Sequence, residues 1–333
     1  MKKIALLTCA LCAIQAQASL KVVTTTADLA SIASAIGGKN ASVSSLITGS
    51  RDAHHIEAKP SYISRVAGAD VFIANGLDLE VGYEGAILDG ARNRKVIIGA
   101  SGHIYASEFA YVLEKPTRGV TRADGDIHPD GNPHIMLDPY NGRQVAIGIA
   151  RRFQSIDAAN AKVYESNLSA FLSRLDTAMF GAGLVNEFGG SKLWQWHNAG
   201  NFESTVKRAG AKAAVGGWVS KAKGFAGIPV FSYHRSLPYL ARRFGLNVIG
   251  QLEPKPGLEP TPGHLATLIR TGRERGVKAI LQEPFFSNKA AKTVAGQIGA
   301  KVVLIPQSVG QASRANDYIT LFDVIISNLG EAL

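Results

Sequence analysis

Three histidines that lie far apart in the chain carry the clearest chemistry: His54, His134 and His234. Each follows a short apolar run that gives way to a loop, and folds built from parallel strands gather ligand-binding side chains at that edge of the sheet. Because His54 and His55 are adjacent, only one of them should face a given site. Three neutral imidazoles suit Zn²⁺, since imidazole is a borderline ligand whereas Mg²⁺ and Ca²⁺ prefer oxygen. The sequence therefore predicts a zinc site formed by these three histidines.

The fourth ligand of this site is left open. Gln307 follows the apolar run that ends at Ile305 and could offer an amide oxygen, and Glu283 follows another apolar run and could offer a carboxylate. Amides are weak zinc ligands, so water could also complete a tetrahedron. His128, in the Gly- and Asp-rich segment 124–131, is an auxiliary candidate, although turn chemistry is the better explanation of that segment. The remaining histidines are assigned surface or packing roles: His103, His197 and His264.

The first eighteen residues have the pattern of a secretory signal. Lys2 and Lys3 precede an apolar stretch over residues 4–14, and the small residues Ala16 and Ala18 mark a cleavage site after Ala18. Both cysteines of the chain lie inside this segment, and neither has the small preceding residue that a lipoprotein signal requires. We therefore expect soluble export to the periplasm and a mature chain without a disulfide.

The basic charge of the chain does not indicate a nucleic-acid partner. The formal net charge is +10, and removal of Lys2 and Lys3 leaves about +8. The basic residues are dispersed, and the pairs Arg151-Arg152 and Arg242-Arg243 lie in helix-like stretches, where we interpret them as solvated faces. No basic stripe alternates with aromatic residues, as a nucleic-acid footprint would require.

The elements that must position the histidines are those of an α/β fold. Strand-like and helix-like stretches alternate in both halves of the chain, which predicts two lobes with mainly parallel sheets. The predicted strands are residues 21–25, 41–46, 71–74, 96–98, 228–233, 247–249, 279–282 and 301–305. A helical run without a strand candidate separates the two sets. The predicted organisation is a signal peptide over residues 1–18, an N-terminal lobe over 19–138, a helical spine over 139–185 and a C-terminal lobe over 186–333.

At these motifs the chain resembles the metal-binding solute-binding proteins of bacterial ABC importers, the cluster A-I group that includes the periplasmic zinc-uptake proteins. The matching motifs, which lie across the mature chain, are residues 52–61, 132–139, 233–246, 252–265 and 282–286. The resemblance implies two β/α lobes joined by one long helix, with metal bound in the cleft between them. The resemblance also implies that His54, His134 and His234 are the metal ligands.

The resemblance also bears on the choice of metal. In the manganese-binding branch a carboxylate stands at the third ligand position, where this chain has His234, and the softer site favours zinc. Many relatives supply an aspartate as fourth ligand after the last strand. This chain has Gln307 in that segment, so the fourth ligand stays open.

The implied function is import rather than catalysis. We expect a monomer that carries Zn²⁺ as cargo to a membrane permease driven by a cytoplasmic ATPase, since this chain has no Gly-x-x-x-x-Gly-Lys-Ser/Thr phosphate loop of its own. The alternatives are a Mn²⁺ or Fe²⁺ import protein and a metal-dependent adhesin of the same fold. A further alternative is a zinc hydrolase, in which three histidines hold a catalytic water and Glu283 acts as the base.

Overall fold

The protein is described by a computed structural model that covers residues 19–119, 125 and 128–333. The predicted signal peptide lies outside these residues, as does part of the segment 124–131. Within the covered ranges, no helix combines the length and the apolar character that a membrane crossing requires.

The N-terminal lobe is built on one four-stranded parallel sheet with the order β2-β1-β3-β4. Its strands are β1 (Leu20–Thr24), β2 (Ala41–Ser45), β3 (Val71–Ala74) and β4 (His103–Tyr105), and its helices are α1 (Ala27–Gly37), α2 (Pro60–Ala67) and α3 (Glu84–Ala91). Buried side chains cover both faces of the sheet, since Val22 packs into one apolar cluster and Val23 into another. The first three strands lie where the sequence predicts them.

The predicted strand over residues 96–98 is wrong. Val96 is buried, but Ile97 and Ile98 are 48% and 62% exposed, and the strand forms at His103–Tyr105 instead. Gly102 shows why the pairing begins there. A Cβ at Gly102 would lie 2.4 Å from the carbonyl oxygen of Asp70, so only glycine lets the chain approach β3 closely enough to enter the sheet.

In the described part of the chain, six α-helices lie between the two sheets in sequence. They are α4 (Pro139–Ile156), α5 (Ala161–Phe180), α6 (Ala182–Phe188), α7 (Gly190–Asn198), α8 (Phe202–Arg208) and α9 (Gly217–Ala222). Where the resemblance implies a single long helix, the structure has two, α4 and α5, which pack against each other through Phe153 and Tyr164. Asp157 lies at the break between them and accepts a hydrogen bond from Tyr164. The predicted lobe boundaries stay a prediction.

The C-terminal lobe repeats the plan of the first, with the parallel strand order β6-β5-β7-β8. Its strands are β5 (Pro229–Ser232), β6 (Asn247–Gln251), β7 (Ala279–Gln282) and β8 (Lys301–Leu304), and its helices are α10 (Pro238–Phe244), α11 (Pro262–Arg275), α12 (Lys289–Ile298) and α13 (Tyr318–Ala332). The predicted fold class, two β/α lobes with parallel sheets, is confirmed.

A buried ion pair joins the lobes beneath the cleft. Arg243 of α10 donates two hydrogen bonds to the carboxylate of Asp138, from Nε at 2.7 Å and from Nη2 at 2.8 Å. Asp138 is also the N-cap of α4, where it accepts a hydrogen bond from the backbone of Tyr140. The interpretation of Arg243 as part of a solvated face is wrong, since it is only 8% exposed. Its neighbour Arg242 is the exposed member of the pair.

Candidate metal centre

His54 is positioned by a turn that follows β2. Asp52 accepts a hydrogen bond from the backbone N–H of His54 at 2.9 Å, through Oδ1. The second oxygen of Asp52 lies 3.0 Å from Nδ1 of His55 and holds that exposed imidazole outside the cluster. Only His54 of the adjacent pair therefore faces the cleft, as the sequence predicts.

His134 is positioned by the segment that leads into α4. The side chain of Asn132 accepts a hydrogen bond from the backbone N–H of His134 at 3.0 Å, and Asn75, directly after β3, donates to the carbonyl of Pro133 at 2.8 Å. Asn132 also donates to the carbonyl of Arg235 in the second lobe. The same asparagine thus orients His134 and contacts the opposite wall of the cleft.

His234 follows β5 and is oriented by Glu253, whose role the sequence analysis missed. Nδ1 of His234 lies 2.6 Å from Oε2 of Glu253. Donation from Nδ1 leaves Nε2 for a metal, the arrangement that commonly fixes a metal-binding imidazole. The parallel register of β5 and β6 pairs Ser232 with Gln251, so the residues two positions beyond each strand lie side by side. The sequence does not show which strands are adjacent. The only sequence signal for the contact between Glu253 and His234 was therefore the presence of an acidic residue after β6.

The structure brings His54, His134 and His234 together at the cleft between the lobes. One ring nitrogen from each lies within 4.8 Å of the other two. Nε2 of His54 and Nε2 of His134 are 3.4 Å apart. Two nitrogen ligands of a tetrahedral zinc ion are separated by roughly 3.3–3.4 Å, given Zn–N bonds of about 2.05 Å. The geometry of this pair therefore fits a shared zinc ion.

The local environment keeps two of the imidazoles neutral. Burial lowers the pKa of His54 to about 3, against the opposing charge of Asp52. Burial, with the neighbouring histidines, holds the pKa of His134 well below its usual value. Burial also disfavours charge on His234, but the hydrogen bond to Glu253 and the charge of Glu283 together raise its pKa. Lone pairs are therefore available on His54 and His134 without loss of a proton.

The two oxygen candidates for the fourth ligand are connected to each other through Ser236. Ser236 donates a hydrogen bond to Oε1 of buried Glu283, and Gln307 Nε2 donates to the Ser236 hydroxyl at 3.4 Å. Within the described part of the chain, Oε2 of Glu283 and Oε1 of Gln307 have no hydrogen-bond partner. Gln307 lines a small cavity with His54 and His134. The fourth ligand stays a prediction.

His128 lies beside the cluster. Its ring centroid is 5.1 Å from that of His54, and the residue lines a cavity of about 320 Å³ together with His134 and His234. The other three histidines have the packing roles that the sequence predicts: His103 contacts Glu84, His197 accepts from Arg243, and His264 donates to the carbonyl of Gln251.

Comparisons with known proteins agree with this architecture. The family described as "Zinc-uptake complex component A periplasmic" matches residues 22–179 and 211–332. The high-affinity zinc uptake system protein ZnuA of Bacillus subtilis is 24% identical over 311 residues, which is 93% of this chain and 85% of that protein. The zinc-binding protein AdcA of Streptococcus pyogenes is 23% identical, and the match covers 92% of this chain but only 54% of AdcA.

Two further relatives differ in their metal. The manganese ABC transporter substrate-binding lipoprotein PsaA of Streptococcus pneumoniae is 30% identical over 160 residues, 47% of this chain and 49% of PsaA. The crystal structure of a zinc-bound ZnuA deletion mutant superposes with a TM-score of 0.69 at 22% identity, and covers 94% of this chain and 98% of its own. That likeness shows a shared fold.

Proposed function

Because this chain belongs to the zinc-uptake complex component A family, whose members are substrate-binding transport proteins and not enzymes, we propose that it captures Zn²⁺ for import. In this proposal His54 and His134 of the first lobe and His234 of the second bind the ion across the cleft. The zinc hydrolase alternative is excluded by the family. The ion is cargo, to be held and then released.

The observation that carries this proposal is the nitrogen-only cluster, in which His54 and His134 are held neutral. Three ring nitrogens converge within 4.8 Å, and the 3.4 Å spacing of the His54 and His134 nitrogens matches a tetrahedral zinc ion. An all-imidazole set disfavours Mn²⁺, which prefers oxygen ligands. Glu253 supports the set by orienting His234.

The remaining parts of the proposal concern location and partners. The chain is exported through its signal, cleaved after Ala18, and acts as a periplasmic monomer. It docks on a membrane permease whose cytoplasmic ATPase supplies the energy, as the membership of its relatives in metal import systems suggests. Release requires distortion of the histidine cluster, because nitrogen ligands from both lobes hold the zinc ion.

A second candidate cargo is Mn²⁺. It is favoured by the similarity to PsaA and by the two buried side-chain oxygens that have no hydrogen-bond partner among the described residues, Oε2 of Glu283 and Oε1 of Gln307. The relative affinities for the two ions distinguish these candidates. Tighter binding of Mn²⁺ than of Zn²⁺ would favour manganese import.

Equilibrium titration of the exported, metal-free protein against a competing chelator tests the proposal. We expect one zinc ion per chain, and we expect His54→Ala, His134→Ala and His234→Ala each to weaken binding by more than the roughly 10–100-fold typical of residues that only orient a ligand. His264→Ala, which removes an imidazole bonded to the carbonyl of Gln251, serves as the matched control. Unchanged affinity in all three variants would refute the site.

Delivery is tested separately in cells that depend on this importer. Cells carrying His234→Ala should accumulate zinc no faster than cells that lack the chain, and cells carrying His264→Ala should accumulate it normally. Normal uptake with His234→Ala would contradict delivery through this site.

A further inference from the structure

His128 lies beside the histidine cluster, next to His54. Its ring centroid lies 5.1 Å from that of His54, and the centroid distances among the three clustered rings are 5.2, 5.4 and 5.7 Å. It also lines the cavity onto which His134 and His234 open. His128 therefore contacts one member of the cluster directly and faces the same space as the other two.

The turn that carries His128 is packed against the first lobe. The carbonyl of His128 accepts a hydrogen bond from Gly131, and the next residue, Asn132, donates its N–H to the carbonyl of Leu113 at 2.9 Å. Gly131 has a φ of +117°, and a Cβ there would lie 2.4 Å from Val112. Only glycine fits this close approach. The turn thus holds His128 in place in the first lobe. His128 lies six residues before His134 in the sequence.

The same segment also reaches the second lobe. A Cβ on Gly125 would lie 2.4 Å from the carbonyl oxygen of Pro256, in the loop that follows Glu253. Of the described residues near His128, Asn132 thus contacts the first lobe and Gly125 approaches the second. His128 lines the larger of the two cavities at the cluster, whereas Gln307 and Ser308 line the smaller one.

The charges around the cluster suit a metal site in which all ligand atoms are nitrogen. Asp52, Glu253 and Glu283 act electrostatically on His234, and each has hydrogen-bond partners other than a metal. These acidic residues can offset the charge of a divalent cation from outside its coordination shell. An oxygen ligand is then not needed for charge balance, and the amide of Gln307 is a weak alternative.

We propose that His128 is the fourth ligand, so that four imidazoles surround the zinc ion. This inference rests on the proposed function and deepens it, because it names the residue that completes the site and excludes water. A complete nitrogen shell discriminates against Mn²⁺ more strongly than three imidazoles and an oxygen would.

X-ray absorption spectroscopy of the zinc-loaded protein tests this inference, because imidazole ligands can be counted from their scattering. We expect four imidazoles in the wild type, and three with one oxygen in His128→Ala. The zinc affinity of His128→Ala should fall at least tenfold, with the ratio of zinc to manganese affinity falling as well. Gln307→Leu should keep four imidazoles and the wild-type affinity.

His55→Ala is the matched control, because His55 lies next to the cluster but is turned toward Asp52. It should keep the wild-type imidazole count and affinity. An unchanged imidazole count and affinity in His128→Ala would overturn the inference, and so would loss of the fourth ligand in Gln307→Leu. If zinc still binds through His54, His134 and His234, only this inference fails. If the wild type binds no zinc, the proposed function fails with it.

Discussion

Two contacts near the boundary between the lobes are built in opposite ways, one joining the two lobes and one lying within the first lobe. Below the cleft, Arg243 and Asp138 are permanently opposite charges, and the third guanidinium nitrogen donates to His197 and Asn198. In the cleft, two neutral imidazoles face each other at 3.4 Å and gain attraction only when a cation enters between them. The relative position of the lobes is thus set by contacts that need no metal. We call the two lobes and these contacts the frame, to which the metal site is added.

The largest effect expected from breaking this contrast is loss of stability in Arg243→Met. The substitution keeps much of the apolar volume but leaves Asp138 buried without its cation. Removing one partner of a buried pair costs about 3–5 kcal/mol. Urea unfolding of the metal-free protein measures it, and Arg242→Met, which changes the exposed neighbour, should have little effect. Equal destabilisation by both variants would show that the buried pair is not the source of stability.

The double variant Arg243→Met with Asp138→Asn sharpens the interpretation. The introduced asparagine would remain able to cap α4, since asparagine and aspartate are comparable N-caps. Because no unpaired charge is left buried, part of the lost stability should return. A double variant that is less stable than Arg243→Met alone would contradict the electrostatic explanation.

Glu80 provides the next test, because it is a buried acid that contacts neutral donors. It accepts hydrogen bonds from Thr25 Oγ1 and from the backbone N–H groups of Asn75 and Gly76. Burial nevertheless raises its pKa from 4.5 to about 7. The folded state therefore holds the proton more tightly than the unfolded state. This contribution to stability is complete below pH 4.5 and is lost as the pH rises through 7.

The shift in the pKa of Glu80 corresponds to about 3 kcal/mol. We expect the free energy of unfolding to fall by that amount between pH 4.5 and pH 8 in the wild type, relative to Glu80→Gln, which cannot ionise. Urea unfolding across this pH range measures the difference. Parallel pH profiles for the two proteins would contradict the raised pKa. Asn75 also supports the loop that carries His134, so zinc affinity should be followed in parallel.

The sequence predicts most of the frame because short apolar runs bounded by loops are reliable signals of buried parallel strands. It fails at residues 96–98, where three β-branched residues suggest a strand but only Val96 reaches the core. The three histidines could be grouped in advance because each lies where a short apolar run gives way to a loop.

What the sequence could not provide are contacts that depend on neighbours in space. Arg242 and Arg243 look alike in the sequence, but adjacent residues of a helix point about 100° apart, so only Arg243 reaches the interior. Glu253 could be linked to His234 only by knowing that β5 and β6 are adjacent. In both cases the sequence shows a residue but not the residue that it contacts. Neither Arg243 and Asp138 nor Glu253 and His234 are close in sequence.

The smallest of these effects is expected for Glu253→Gln, which alters the metal centre without touching the frame. Glu253 accepts from His234 and from the backbone N–H of Gly257. Loss of the charge makes the imidazole a weaker ligand, so zinc affinity should fall roughly 10–100-fold, or about 1.4–2.7 kcal/mol. The exposed Glu259→Gln makes the same charge change nearby and should bind zinc as the wild type does. If Glu253→Gln instead left zinc affinity intact and lowered the stability of the metal-free protein, Glu253 would belong with the frame, and the separation between frame and site would be lost.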